Sequence, residues 1–358
     1  DLIHFLQQAD MQQITNTALA QPILLIIEIA LAKLLIDCGI KPVAMMGHSL
    51  GEYVAACIAG IFSFKDVVAM VCERGILMAT APQGEMLAIE ADRKTCVALQ
   101  KIAEVDIALH HTETQYVLSG SCEAIAILEK YLTQKQYIYK KLHVSHAFHS
   151  RLMEPLTTAF QRIVSKVALS PPIIPIVSNV TGAWLTANDA VDPGYWGRHL
   201  RHTVQFYKGA KLLLKDKHPF FIEIGAGQSL CHFMKAISGG KAVTTHLLPS
   251  ARQKTPEFNQ FLCAVGALWQ HGFAVDVNPL KEHIARRFVS VPIYPFQREK
   301  FWLDPTMERV KAKPQLFKPC WSRFKKIEAV SQTLISGVCH RTWLVFRDKN
   351  GFADAVIM

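Results

Sequence analysis

The sequence predicts an α/β fold: a body built on a parallel sheet, interrupted by a small βαββαβ unit. Three observations predict it. Short apolar runs alternate with helix-length stretches over residues 21–83 and again from His149 onward. Residues 84–146 change rhythm, packing four short strand patterns around two helical ones. A glycine-flanked serine, GHSLG at 47–51, falls where an apolar strand gives way to a helix.

Taken in order, Gln21-Pro22 opens a helix through about Leu35, with proline early, where its missing N–H is harmless, and Gly39 as its stop. The run ILLIIEIALAKLLIDCGI at 23–40 is interrupted by Glu28, Lys33 and Asp37, so it reads as a buried core helix and not as a membrane span. Pro42–Met46 is wholly apolar, as a strand buried on both faces would be. Helices follow at Leu50–Ala59 and Phe64–Ala79. In the inserted unit the strands are Met86–Ile89, Val105–Leu109, Tyr116–Leu118 and Tyr137–Val144, and the helices Asp92–Ile102 and Cys122–Leu132. That order is ferredoxin-like.

Beyond it come a helix at 150–167 and strands at Ile173–Ser178, Phe220–Ile224 and Val243–Leu248. A last helix starts at Thr255-Pro256-Glu257, with Thr255 as cap, and ends at Gly272. Phe258, Phe261, Leu262, Val265, Leu268 and Trp269 share one of its faces. Residues 280–330 are basic and rich in proline and aromatics, as a linker would be, and Trp343–Phe346 starts a further strand.

Composition excludes several classes. Half of the 358 residues are hydrophobic and 19% charged, which rules out a disordered chain. The nine cysteines stand singly with no CxxC, which argues against a disulfide framework or a zinc site and favours a reducing, cytoplasmic setting. The net charge of +10 is concentrated: residues 281–326 hold 12 Lys/Arg against 4 Asp/Glu, a net +8. With no nucleic-acid motif beside it, this reads as a solvated linker. The start, DLIHFLQQADMQQ, is no signal peptide, and the chain is expected to begin inside a longer polypeptide.

Chemistry centres on Ser49. A sharp strand-to-helix turn would expose its hydroxyl and aim the first helical amides at it, Leu50 N–H above all, with Gly47 and Gly51 removing Cβ atoms from the turn. A serine needs a base. His48 is adjacent but should point away. The cluster HVSHAFHS at 143–150 lies at the seam between the lobes, and His143, His146 and His149 are all candidates on spacing. Arg74, in CERGILM at 72–78, has apolar sequence neighbours, and a buried guanidinium needs an anion.

The run at 21–78 resembles the acyltransferase domains of modular polyketide synthases, which are similar to malonyl-CoA:acyl-carrier-protein transacylases. HAFHSRLMEP at 146–155, SNVTG at 178–182, YWGRHLRHTVQF at 195–206 and EIGAG at 223–227 resemble further blocks in order, and VPIYPFQREKFWL at 291–303 the linker that follows. The resemblance implies a hydrolase-like parallel-sheet body over residues 1–279, with 84–146 as its ferredoxin-like subdomain. It implies a linker at 280–305 and the start of a ketoreductase-like region at 306–358.

By the same resemblance Ser49 forms an acyl-enzyme, His149 is the base, Arg74 binds the carboxylate of an extender unit and Gln21 supports the site. A main-chain carbonyl, placed at His199, orients the base in place of an acid. His146-Ala147-Phe148-His149 is similar to the malonyl form of the block, and Leu50 after the serine agrees with it; Phe148 would fill the space of an α-methyl group. The implied substrate is malonyl-CoA, with no resident cofactor or metal. The implied partners are the phosphopantetheine arm of an acyl carrier protein, an upstream ketosynthase and downstream domains, and neither nucleic acid nor membrane.

Three departures stand out. The family's N-terminal strand and Gly-Gln-Gly loop, which carries a second oxyanion donor, would precede residue 1. His111 stands where the family usually has Asn, and Ala226 where it has Pro. Two other readings share the motif: an α/β-hydrolase esterase, which would need an acid between Ser and His in chain order, and an inactive docking fragment.

Overall fold

The computed structural model describes residues 16–215, 220–250, 253–283 and 292–299, with Gln8 and Ser290. The chain divides into two units, Asp1–Phe288 and Val289–Met358. In the second, the Tyr294 and Phe296 rings meet edge-on at 5.2 Å. The strand expected at Trp343–Phe346 and the whole of 306–358 lie outside the described residues, as does part of the 280–305 linker.

Helix α1 (Thr17–Asp37) starts earlier than expected. The Asn16 side chain accepts from Ala18 N–H at 2.9 Å, so Pro22 lies inside the helix and not at its first position. By length and composition α1 could cross a membrane; here Leu25, Ile29 and Leu35 are buried in the protein. It packs on α2 (Gly51–Ile58) and α3 (Phe64–Ala79).

The strand before the serine is β1 (Met45–Met46), half-buried rather than buried on both faces. After the small subdomain, β6 (Ile176–Val177) pairs with it in parallel, Met45 opposite Ile176. Each is only two residues of the longer runs expected, and Val43 and Ile173 are exposed. Pro42 on one side, and Pro171, Pro172 and Pro175 on the other, lack the N–H a longer ladder needs.

The small subdomain runs β2 (Glu85–Glu90), α4 (Arg93–Ile102), β3 (Val105–His110), β4 (Gln115–Gly120), α5 (Cys122–Gln134), β5 (Tyr139–Lys141). Its four strands order β3-β4-β2-β5, every pair antiparallel. This is the ferredoxin-like arrangement the rhythm predicts. It has a core of its own, with Leu87, Leu99, Val105, Leu118 and Leu128 buried together. Only three residues of the expected 137–144 strand pair.

The body resumes with a tight 3₁₀ turn at Arg151–Met153 and α6 (Glu154–Val164). Then come α7 (Ala187–Ala190), α8 (Pro193–Arg201), α9 (Phe206–Lys215), β7 (Phe220–Ala226), α10 (Ser229–Ile237), β8 (Val243–Leu248) and α11 (Glu257–Gln270). Strands β7 and β8 are parallel. Among the described residues the parallel layer is therefore two two-stranded pieces, β1–β6 and β7–β8. On α11, Phe261, Val265 and Leu268 are buried, but Phe258, Leu262 and Trp269 of the expected face are exposed. Thr255 does not cap this helix; Pro256 leads into it with extended backbone.

Backbone hydrogen bonds tie the lobes at two places, and Asp106 of β3 adds ion pairs to Arg151 and Arg201. Gln83 and His146 pair in an antiparallel bridge where the chain leaves and re-enters the body. Strand β3 is bonded along 203–204: Val204 N–H donates to Ala108 O at 2.9 Å, His110 N–H to Val204 O at 3.0 Å, and the Thr203 hydroxyl to Ile107 O at 2.5 Å.

Candidate active site

Ser49 sits at the turn from β1 to α2 with φ +52, a backbone that side chains rarely adopt. Gly47 makes the turn possible, because a Cβ there would lie 2.0 Å from Glu52 N. Gly51 does not share this role: a Cβ on it would meet open space. Two contacts to Asn179 brace the turn. Its side-chain oxygen accepts from Ser49 N–H at 2.7 Å, and its amide donates to Gly47 O at 2.8 Å.

Asn179 is held in turn by fully buried Glu52. Asn179 N–H donates to Glu52 Oε2 at 2.7 Å, the Tyr195 hydroxyl donates to Oε1, and His199 Nε2 lies 3.4 Å from Oε2. Gly51 N–H and Glu52 N–H are taken by His48 O and Ser49 O. Leu50 N–H donates to no group among the described residues, so it remains the open amide at the turn.

The structure brings His149, alone of the three clustered histidines, to the serine. Ser49 Oγ is 2.8 Å from His149 Nε2. His149 also has positive φ, +55, in a turn secured by the Ser150 hydroxyl donating to Ala147 O at 2.5 Å. His146 faces Ser145 Oγ at 2.7 Å, and His143 is exposed.

The carbonyl that orients the base is not His199. His149 Nδ1–H donates to His202 O at 3.0 Å. His199 lies within α8, turned toward Glu52, whereas His202 follows the helix in extended backbone, φ −80 and ψ 159, so its carbonyl leaves the helical ladder. Strand β3 fixes Thr203 and Val204 directly after it, so the small lobe helps to set the base.

Arg74, on α3, is 2% exposed, and no carboxylate pairs with it among the described residues. Its Nη1 donates to the Gln21 side-chain oxygen, and Gln21 Nε2 points at Met78 Sδ, 3.5 Å away. Its guanidinium lies over the Tyr53 ring at 5.2 Å. Burial, first of all, and then electrostatic interaction with His199, Arg74 and His48 hold His149 well below its ordinary pKa of 6.5; the hydrogen bond to His202 opposes them. The imidazole is therefore neutral at neutral pH, with a lone pair for the Ser49 proton.

His48 does point away from Ser49. Its Nε2 meets His111 Nε2 at 2.9 Å, and His111 stacks on Phe233 at 4.3 Å. Burial lowers His48 to about 4 and His111 to about 3. The unfolded chain protonates such groups near 6.5, the fold only below 4, so folding stability falls as pH drops through that window. Glu28, raised to about 7 mainly by burial, runs the other way, but His48, His110, His111 and His149 outnumber it. Urea midpoints should fall steadily from pH 7 to 5; a flat profile would contradict the buried neutral histidines.

The position of His202 and the bracing roles of Asn179 and Glu52 were not assigned from sequence. SNVTG marked the neighbourhood of Asn179, and a glutamate one residue after GHSLG was the available signal for Glu52.

A serine and a neutral imidazole in contact, an open helix-leading amide and a buried cation on one α/β body define an acyl-transfer site. The chain belongs to the acyl transferase domain family, which it matches over residues 1–273. It is 32% identical over 290 residues to a component of the phenolphthiocerol/phthiocerol polyketide synthase of Mycobacterium tuberculosis, covering 80% of this chain but 19% of that protein. The acyltransferase domain from the second module of the salinomycin polyketide synthase superposes with TM-score 0.72 at 31% identity, covering 80% of this chain and 69% of that one. The malonyl CoA-acyl carrier protein transacylase of Coxiella burnetii superposes with TM-score 0.67 at 25% identity, covering 75% and 85%.

Proposed function

We propose that this acyltransferase takes an extender acyl group, malonyl foremost, from CoA onto Ser49 and passes it to the phosphopantetheine thiol of an acyl carrier protein within a polyketide synthase. The observation that carries the reading is Arg74: a buried guanidinium with no carboxylate of its own among the described residues, close enough to Ser49–His149 for its charge to act on the base. An anionic acyl group supplies the missing partner, and the arginine fork suits a carboxylate with two parallel charge-assisted bonds.

Ser49 Oγ attacks the thioester carbon while its proton passes to His149 Nε2. Leu50 N–H donates to the oxyanion. His202 O holds the Nδ1–H of the imidazolium, so no acid is required. Collapse breaks the C–S bond, and the CoA sulfur takes the proton from Nε2. In the second half the carrier thiol gives its proton to His149, attacks the Ser49 ester and leaves as a thioester, the proton returning to Ser49 Oγ. Phe148, half-buried and 6.0 Å from the His146 ring, is the side chain set against an α-methyl group; a methyl difference is worth about 1–3 kcal/mol of discrimination.

The test is to incubate the full chain with labelled malonyl-CoA and digest it. Label on the Ser49 peptide, stable in water and discharged by a phosphopantetheine thiol, is the expected result. Release of free malonate at the same rate with and without thiol would make the chain a hydrolase.

A further inference from the structure

Among the buried polar atoms beside the acyl site that make no hydrogen bond to the described residues are Arg74 Nε and the Tyr53 hydroxyl, together with both ring nitrogens of His199. Tyr53 is fully buried on α2, four residues after Ser49. It lies in the first turn of α2, directly after the Ser49 turn, and its N–H donates to Leu50 O at 3.0 Å. Its ring is fixed by Trp196 at 5.0 Å and by His199, edge-on at 5.1 Å, with the Arg74 guanidinium on its face.

An orphan hydroxyl in such a core is unfavourable, and phenylalanine would fill the same space without it. Burial pushes the phenol up to about 12, against the pull of Arg74, so at neutral pH it is a proton donor. Gln21 already occupies Arg74 Nη1. A buried carboxylate offers about four acceptor positions, more than the remaining side of the fork fills.

We propose that the Tyr53 hydroxyl is a further substrate-binding donor, closing with Arg74 Nε–H on the carboxylate of the acyl group. This rests on the reading of Arg74 given above. A malonyl group places one CH₂ between its thioester carbon and its carboxylate, so a group attacked by Ser49 carries its charge close to the serine, and Arg74, which acts electrostatically on His149, lies over the Tyr53 ring. The pair then reads the carboxylate twice, once by charge and once by a neutral hydrogen bond.

The experiment is Tyr53→Phe in the full chain, with malonyl-CoA and acetyl-CoA loading measured beside the thermal midpoint, and Arg74→Ala in parallel. The expected result is a midpoint unchanged or raised, malonyl kcat/KM lowered roughly tenfold, and acetyl loading within twofold of wild type. Unchanged malonyl loading, equal losses for both substrates, or a lowered midpoint would each overturn the assignment, the last by showing that the hydroxyl supports the fold. If Arg74→Ala is selective for malonyl and Tyr53→Phe is not, Tyr53 alone is misassigned. If Arg74→Ala is itself unselective, the underlying reading of the site fails.

Discussion

Replacing His149 with alanine should slow acylation of Ser49 by at least about 10³-fold, in the upper part of the range for loss of a general base. The hydroxyl at 2.8 Å from Nε2 has no other base in contact among the described residues, and nothing else there is placed to return a proton to the departing sulfur. The neighbouring histidines make the result specific. His143 is exposed and away from the serine, so His143→Ala should stay within about twofold of wild type. His202 contributes only its main-chain oxygen, so His202→Ala should keep most activity although it touches the base directly. The quantity to measure is the burst of CoA release on mixing with malonyl-CoA. If His143→Ala proved as inactive as His149→Ala, the base would be misassigned. Because the fold holds His149 below its usual pKa, the wild-type rate should stay level from pH 8 to 6.5 and turn down only in more acidic solution.

Arg74→Ala should slow malonyl loading by two or more orders of magnitude and leave acetyl loading level or faster. The carboxylate would enter a buried site without its cation. Charged hydrogen bonds contribute about 1.5–3 kcal/mol each, and a buried unpaired charge costs more. Acetyl carries no such group. Removing the guanidinium also takes away one of the charges that weaken His149 as a base, which is why the neutral substrate gains if it changes at all. Lysine should rescue only partly, because a point charge cannot hold Gln21 and two carboxylate oxygens in one plane. Equal losses for both acyl groups would mean that Arg74 supports α3 and does not read the substrate.

The two lobes and the turn at Ser49 were legible because each rests on local information, whereas spacing left three histidines open and only the family resemblance singled out His149 and Arg74. Strand alternation announced β2 to β5, and glycine at 47 announced the turn. The parallel layer was overdrawn because apolar runs do not reveal where neighbouring prolines cut a ladder short. The width of the apolar face on α11 misled for a related reason: periodicity shows which residues share a face, not how much of it a partner covers. The carbonyl at His202 was out of reach, since it depends on where α8 ends and on β3 clasping the next two residues, through contacts as much as 96 positions apart. Asn179 and Glu52 belong to the same category. Their hydrogen bonds span 127 to 143 positions and have no periodic signature.

The bridge between Gln83 and His146 has a consequence for how such enzymes diversify. The small lobe leaves and re-enters the body at adjacent points, as an inserted cassette does, and has its own hydrophobic interior. Its return joint, however, is also the stretch that carries His146, Phe148 and His149. A genetic exchange bounded at 84 and 145 would trade the lobe while keeping the recipient's His149 and Phe148, the base and pocket wall proposed above. One extending five residues further would import both with the donor's joint. The recombination boundary, more than the identity of the lobe, would therefore decide whether a chimera inherits a new acyl preference or merely a new surface.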